Sequence, residues 1–189
     1  MRREDAELRY RYKAQVIASD VTERRLLVLP RDATKLGIAD PDDLSVALAV
    51  RMSMSIPVFF EPVRFKNPGT GVEHLIVDGG MLSNFPLWLF DNEEPMWPTI
   101  GVKFIEEDPS TALGTLGSHG GVFKLVDYAR SVVETMMEAH DRFYLEETDF
   151  ERTIAIDALG VGTTEVDLSR ERATKLYESG RAGAEEFLS

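Results

Sequence analysis

Residues Ile76–Pro86 read IVDGGMLSNFP, an apolar run that ends on a carboxylate and breaks at once into two glycines. Upstream, Pro62–Phe65 and Val72–Val77 flank Asn67-Pro68-Gly69-Thr70-Gly71, the signature of two short strands around a proline–glycine turn. Asp78 therefore sits at the carboxyl end of a strand. Asp-Gly is a favoured turn, so a purely conformational role is one reading. The other is chemical, because open α/β sheets place ligands in the crevice outside the carboxyl ends of their strands. Gly79 and Gly80 permit positive φ and the close approach of another chain segment. A carboxylate half shielded from water at that point gains basicity and suits a general base. Spacing alone leaves both readings open.

The surrounding segments alternate between strand and helix patterns. Tyr12–Asp20 (YKAQVIASD) and Arg25–Leu29 (RLLVL) read as strands joined by a turn at Val21–Arg24, the second stopped by Pro30. Asp40 before Pro41-Asp42-Asp43 is a helix start, with an Asx cap, proline at the first position and acids in the first turn. Leu44–Met54 (LSVALAVRMSM) is apolar nearly all round, which predicts a buried helix. Pro98–Ile105 predicts a mostly buried strand, Arg152–Ala158 another, and Leu168–Leu188 a closing helix with Leu176, Gly180, Ala184 and Phe187 on one side. Ser110–Gly121 is small, polar and glycine-rich, the pattern of a mobile loop. Val122, Val126, Ala129, Val133, Met136, His140 and Phe143 form a stripe along a long helix, facing the core or a partner. Strands mixed with helices, several strands apolar on both faces, predict an α/β layered sandwich with a mainly parallel central sheet. No linker or repeat interrupts residues 1–189, which read as a single domain.

Composition narrows the function. Of 189 residues, 21 are basic and 33 acidic, giving a net charge of −12 that argues against nucleic-acid binding and lasting adsorption on anionic lipid. The absence of cysteine excludes disulfides, thiolate metal sites and a cysteine nucleophile. No apolar run is long enough for a membrane-spanning helix, and the charged start has no signal-peptide pattern, so the expected location is cytoplasmic, with at most peripheral membrane contact. Three scattered histidines make no zinc site, and the acidic clusters lack a calcium-loop pattern, so neither metal nor organic cofactor is expected. His74 reads as a packed or edge residue of its strand, and Trp88, Phe90 and Trp97 read as core packing in preference to an acyl pocket.

The combination of Val50–Pro62 (VRMSMSIPVFFEP) and Ile76–Pro86 closely resembles the patatin-like phospholipases, a family of lipid acyl hydrolases. Ser53-Met54-Ser55-Ile56-Pro57, the Asp-Gly-Gly motif and Asn84-Phe85-Pro86 carry the resemblance, and Ala18–Thr22 with Leu27–Pro30 resemble the bacterial branch. What the resemblance implies is a Ser-Asp dyad without histidine, in which Asp78 is the base and Gly79 and Gly80 shape the turn that aims it. It also implies an oxyanion hole made by amides of a glycine-rich loop. Ser53, Ser55 and Asn84 would border the crevice, although helix-end capping is the plainer role for both serines.

The sequence departs from the family in two respects, and the glycine run that would form the oxyanion loop is one of the two missing parts. The Gly-x-Ser-x-Gly elbow that carries the nucleophile is absent, and Leu116–Gly120 (LGSHG) has leucine where its first glycine belongs. The chain thus reads as the carboxyl-terminal portion of a patatin-like domain, its amino-terminal part missing, holding the aspartate half of an ester-cleaving dyad. A lipid or other ester substrate, the missing half of the enzyme and self-association through exposed edges are the expected partners. The alternative is a non-catalytic interaction protein that has kept the fold and lost the nucleophile. A rearranged hydrolase using Ser53, Ser55 or Ser118 ranks third.

Overall fold

A tight turn at Val21–Arg24 folds β1 (Val16–Asp20) back onto β2 (Arg25–Leu29), so the two pair antiparallel with Val16 opposite Leu29 and Asp20 opposite Arg25. The computed structural model describes residues 11–91, 97–105, 128–129, 132–133, 149, 151–162 and 165–189. The chain divides into two units, Met1–Phe90 with Gly121–Tyr144, and Asp91–Gly120 with Leu145–Ser189.

In the first unit the second hairpin is the one the proline–glycine turn predicts. β3 (Val63–Lys66) and β4 (Glu73–Asp78) pair antiparallel, with Val63 opposite Ile76. The Asn67 side chain accepts bonds from the amides of Gly69 (2.9 Å) and Thr70 (3.1 Å), and Gly71 supplies the left-handed φ of 76°. β4 also pairs antiparallel with β1, Ala18 opposite Asp78, which gives the strand order β2-β1-β4-β3. The mainly parallel sheet expected from the sequence is therefore corrected: every ladder of this sheet is antiparallel. Hairpin loops this short cannot carry the crossover that parallel neighbours need.

Both faces of the sheet are covered, which explains the strands' two-sided apolarity. Ala18, Leu27, Leu29 and Ile76 pack with Leu36, Leu44, Ala49 and Met52 on one side, and Ile17, Val28 and Leu89 form a second cluster. Asp40 caps the 3₁₀ turn Pro41–Asp43 through a bond from Asp42 N–H, as predicted. α1 (Val46–Ser53), capped by Ser45, differs from the fully buried helix expected. It buries Ala49 and Met52, whereas Val46, Val50 and Met54, spaced four apart, are exposed. Of the long apolar stripe, only Ala129 and Val133 are described. Both are helical and half-buried beside the exposed Tyr128 and Val132, whereas Ser118, His119 and His140 lie outside the described residues.

The second unit holds β5 (Gly101–Ile105) and β6 (Thr153–Asp157), which pair parallel, and α2 (Arg170–Phe187). Leu176, Gly180, Ala184 and Phe187 are all half-buried, as the predicted stripe requires. The closest approach is at Gly183, however, where a Cβ would lie 2.4 Å from the Ala155 carbonyl oxygen. β5 is not the mostly buried strand expected: Val102 and Phe104 are exposed, because α2 packs against β6. Among the described residues no helix is long and apolar enough to cross a membrane.

Candidate active site

Asp78 ends β4 with φ −50° and ψ 138°, and its carboxylate caps the 3₁₀ turn Gly79–Met81. Oδ1 accepts from Gly80 N–H at 2.7 Å, and the backbone N–H of Asp78 donates to the Ser55 carbonyl at 2.9 Å. Gly79 is fixed by space. A Cβ there would lie 2.2 Å from the Ile17 carbonyl oxygen on β1, and its φ is not left-handed. Close approach, and not positive φ, is therefore what this position demands. The turn closes through amides of Leu82 and Ser83, both bonded to the Gly79 carbonyl.

The carboxyl group is half-buried, and this burial raises its proton affinity above the ordinary aspartate value while the Gly80 N–H pulls it back. Burial disfavours the anion because water is removed from it, and a single backbone donor does not replace that hydration. The result is a carboxylate that is partly accessible and more basic than usual, which can take a proton from an adjacent hydroxyl.

The other predicted residues lie around it in different ways. Ser55 is fully buried, and its hydroxyl donates to the Arg51 carbonyl at 2.5 Å and accepts from Arg51 Nη1. Ser55 thus meets Asp78 through its backbone carbonyl, and its hydroxyl satisfies the helix end. Ser53 is the last residue of α1 and is half-buried, and Asn84 is exposed two residues before Pro86. The core reading of the aromatic residues is corrected. Trp88, Phe90 and Trp97 are exposed, while Leu87 and Leu89 take the interior positions between them. Trp88 Nε1 donates to Ser83 Oγ at 3.3 Å, so the indole stays at the surface with its polar edge bonded.

Two features escaped the sequence reading. Arg51 bonds both Ser55 and the Glu61 carbonyl, and the only hint was a lone charge in an apolar helix, four residues before a serine. At the other end of the same sheet Asp20 is fully buried and accepts from Arg25 Nε (3.2 Å) and Glu23 N–H (3.2 Å), with His74 Nδ1 at 2.9 Å. His74 Nε2 is buried without a partner among the described residues. Asp20 and Arg25 flank the hairpin turn, the one trace of this cluster in the sequence. Among the described residues no three His, Asp or Glu side chains are grouped to hold a metal.

A family model described as patatin-like phospholipase matches residues 5–91, which takes in β1 to β4, α1 and the Asp-Gly-Gly turn. Over those residues the chain is similar to the patatin-like phospholipases. A Bacillus subtilis (strain 168) relative, uncharacterized protein YqhO, is 37% identical over 175 residues, 92% of this chain and 56% of that protein. Uncharacterized protein R571 of Acanthamoeba polyphaga mimivirus is 28% identical over 136 residues, 71% of this chain and 43% of the viral protein. This patatin-like chain spans about half the length of the curated relatives it matches.

Proposed function

We propose that Asp78 is the general base of a Ser-Asp acyl-hydrolase site that cleaves carboxylic esters of lipids, with its serine supplied from outside these 189 residues. The observation that carries this reading is the carboxylate itself: half-shielded, held by one backbone donor, and pinned at the end of β4 by a glycine that admits no side chain. The family supports an ester substrate. The absence of a Gly-x-Ser-x-Gly elbow from this sequence, together with a longer Bacillus relative of which the match covers 56%, supports a serine elsewhere.

In this mechanism the serine oxygen attacks the ester carbonyl carbon while Asp78 takes the hydroxyl proton. Collapse of the tetrahedral adduct breaks the bond to the alkoxide, which leaves as the alcohol with that proton. Water then attacks the acyl-serine, giving its proton to Asp78. The carboxylic acid departs and the serine oxygen is reprotonated. A positioned base contributes about 10²- to 10⁴-fold, whereas loss of a serine nucleophile costs about 10⁶-fold in the subtilisin case, so this chain alone should turn over no ester.

Fluorophosphonate labelling read by intact mass tests both halves. The chain should take no adduct. The full-length Bacillus relative should take one, and asparagine at its residue aligned with Asp78 should abolish it. An adduct on this chain that Asp78→Asn removes would place the serine within it. An unlabelled relative would overturn the hydrolase reading.

A further inference from the structure

Arg51 is the one charged residue of α1, and its guanidinium reaches past the end of the helix. Nη1 donates to Ser55 Oγ, Nη2 donates to the Glu61 carbonyl at 2.9 Å, and Cζ lies 5.9 Å from the centre of the Phe60 ring. One side chain therefore ties together both ends of the segment Ser55–Glu61. That segment contains a backbone feature that needs holding. Val58 adopts φ 70°, in the left-handed region where a β-branched residue is a genuine outlier. The turn around it is closed by Phe59 N–H and Phe60 N–H, which both donate to the Ile56 carbonyl at 3.2 and 2.8 Å. At the start of the segment the Ser55 carbonyl accepts the Asp78 N–H.

We infer that Arg51 is a positioning residue for Asp78: it clamps the strained turn at Val58 shut and so keeps the Ser55 carbonyl on the Asp78 backbone. Strained backbone persists only where its surroundings over-determine it, and a bidentate guanidinium reaching a hydroxyl and a carbonyl six residues apart does so here. Released, the turn relaxes away from φ 70°, the Ser55 carbonyl withdraws, and water reaches the Asp78 amide. The inference rests on reading Asp78 as the base, since only then does its placement matter to a reaction.

Amide hydrogen exchange on the 189-residue chain, read by NMR, tests it. In Arg51→Met the Asp78 amide should exchange about tenfold faster, the scale of one lost hydrogen bond. The Val28 amide, bonded to Asp32 Oδ2 at 2.9 Å, should keep its rate. Ser55→Ala removes one of the two clamp partners and should give a smaller acceleration at Asp78. Adding Val58→Gly to Arg51→Met should restore most of the protection, because glycine adopts positive φ without strain. Equal acceleration at Asp78 and Val28 would make Arg51 a general stabiliser and overturn the inference, as would an unchanged Asp78 rate. If Arg51→Met does not fold, Ser55→Ala carries the same test. The exchange rates do not depend on hydrolysis. A flat result leaves the base reading standing, and an unlabelled Bacillus relative leaves the clamp standing.

Discussion

Replacing Gly79 by alanine should destabilise the first unit strongly. The added Cβ would lie 2.2 Å from the Ile17 carbonyl oxygen, 2.4 Å from its carbon and 2.8 Å from the Ile17 Cβ. An ordinary contact begins at about 3.5 Å, so one partner must retreat by more than about 1 Å. β1 is poorly placed to retreat, because it is paired on one edge to β2 and on the other to β4. Either the β1–β4 ladder opens near Ala18 and Asp78, or the Gly79–Met81 turn is displaced. Overpacking of this kind costs about 1–3 kcal/mol, and losing the Gly80 N–H bond to Asp78 adds about 1. The expected loss is about 2–4 kcal/mol, a large share of a typical domain's stability. With a urea slope of about 2 kcal/mol/M, the midpoint should fall by about 1–2 M. Gly162→Ala is the control, since a Cβ there meets nothing within 4 Å and φ is not left-handed. It should stay within about 0.5 kcal/mol of the parent. A Gly79→Ala midpoint indistinguishable from that control would refute the packing argument and with it the rigid placement of Asp78.

The second unit offers a paired comparison on one helix: a Cβ at Gly183 would lie 2.4 Å from the Ala155 carbonyl oxygen, and one at Gly180 would make ordinary contact with Ile156 at 3.6 Å. Gly183→Ala should destabilise by about 1–3 kcal/mol, and Gly180→Ala should stabilise by about 0.5–1 through helix propensity, both read by thermal melting of α2 circular dichroism. For Asp78 the sign of the pH dependence follows from its raised proton affinity. The folded state holds this proton more tightly than the unfolded chain, so stability is fully present below the ordinary aspartate value and is lost as pH rises through the folded one. Urea midpoints of wild type minus Asp78→Asn should therefore decline across that window and flatten towards neutral pH; a difference that grows with pH would contradict the burial.

Local chemistry was legible in the sequence and strand direction was not. The Asn67–Gly71 turn and the Asp40 cap are each decided by a few adjacent residues, and both form as expected. Parallel pairing was inferred from strands apolar on both sides, such as Ile76-Val77. Two-sided apolarity reports burial of both faces, however, and here an antiparallel sheet is covered on both by separate clusters. The same limit applies to α1, whose uniform apolarity could not show that Val46, Val50 and Met54 would be exposed. The Asp-Gly-Gly motif pointed to the proposed site, but the reason for Gly79 is a carbonyl on β1, 62 residues earlier in the chain than the glycine itself. Arg51 and Gly183 act through partners that sequence spacing does not name.

Three aspartates of the first unit differ in how their carboxylates are satisfied. Asp20 is fully buried and meets Arg25, His74 and the Glu23 amide, so its oxygens are committed to holding the β1–β2 turn against β4. Asp32 is also mostly buried. Burial raises its proton affinity, but the Val28 amide and the Arg31 and Lys35 side chains outweigh that and hold it below the ordinary value. A carboxylate lowered in this way is a poor base, because its anion is already satisfied. Asp78 has the opposite balance. Among the described residues its side chain accepts one hydrogen bond, from Gly80, and desolvation prevails. A partly desolvated anion costs stability, which the single capping bond from Gly80 offsets only in part. On the function proposed above, that cost is offset chemically, with the second carboxylate oxygen receiving the proton of a serine hydroxyl.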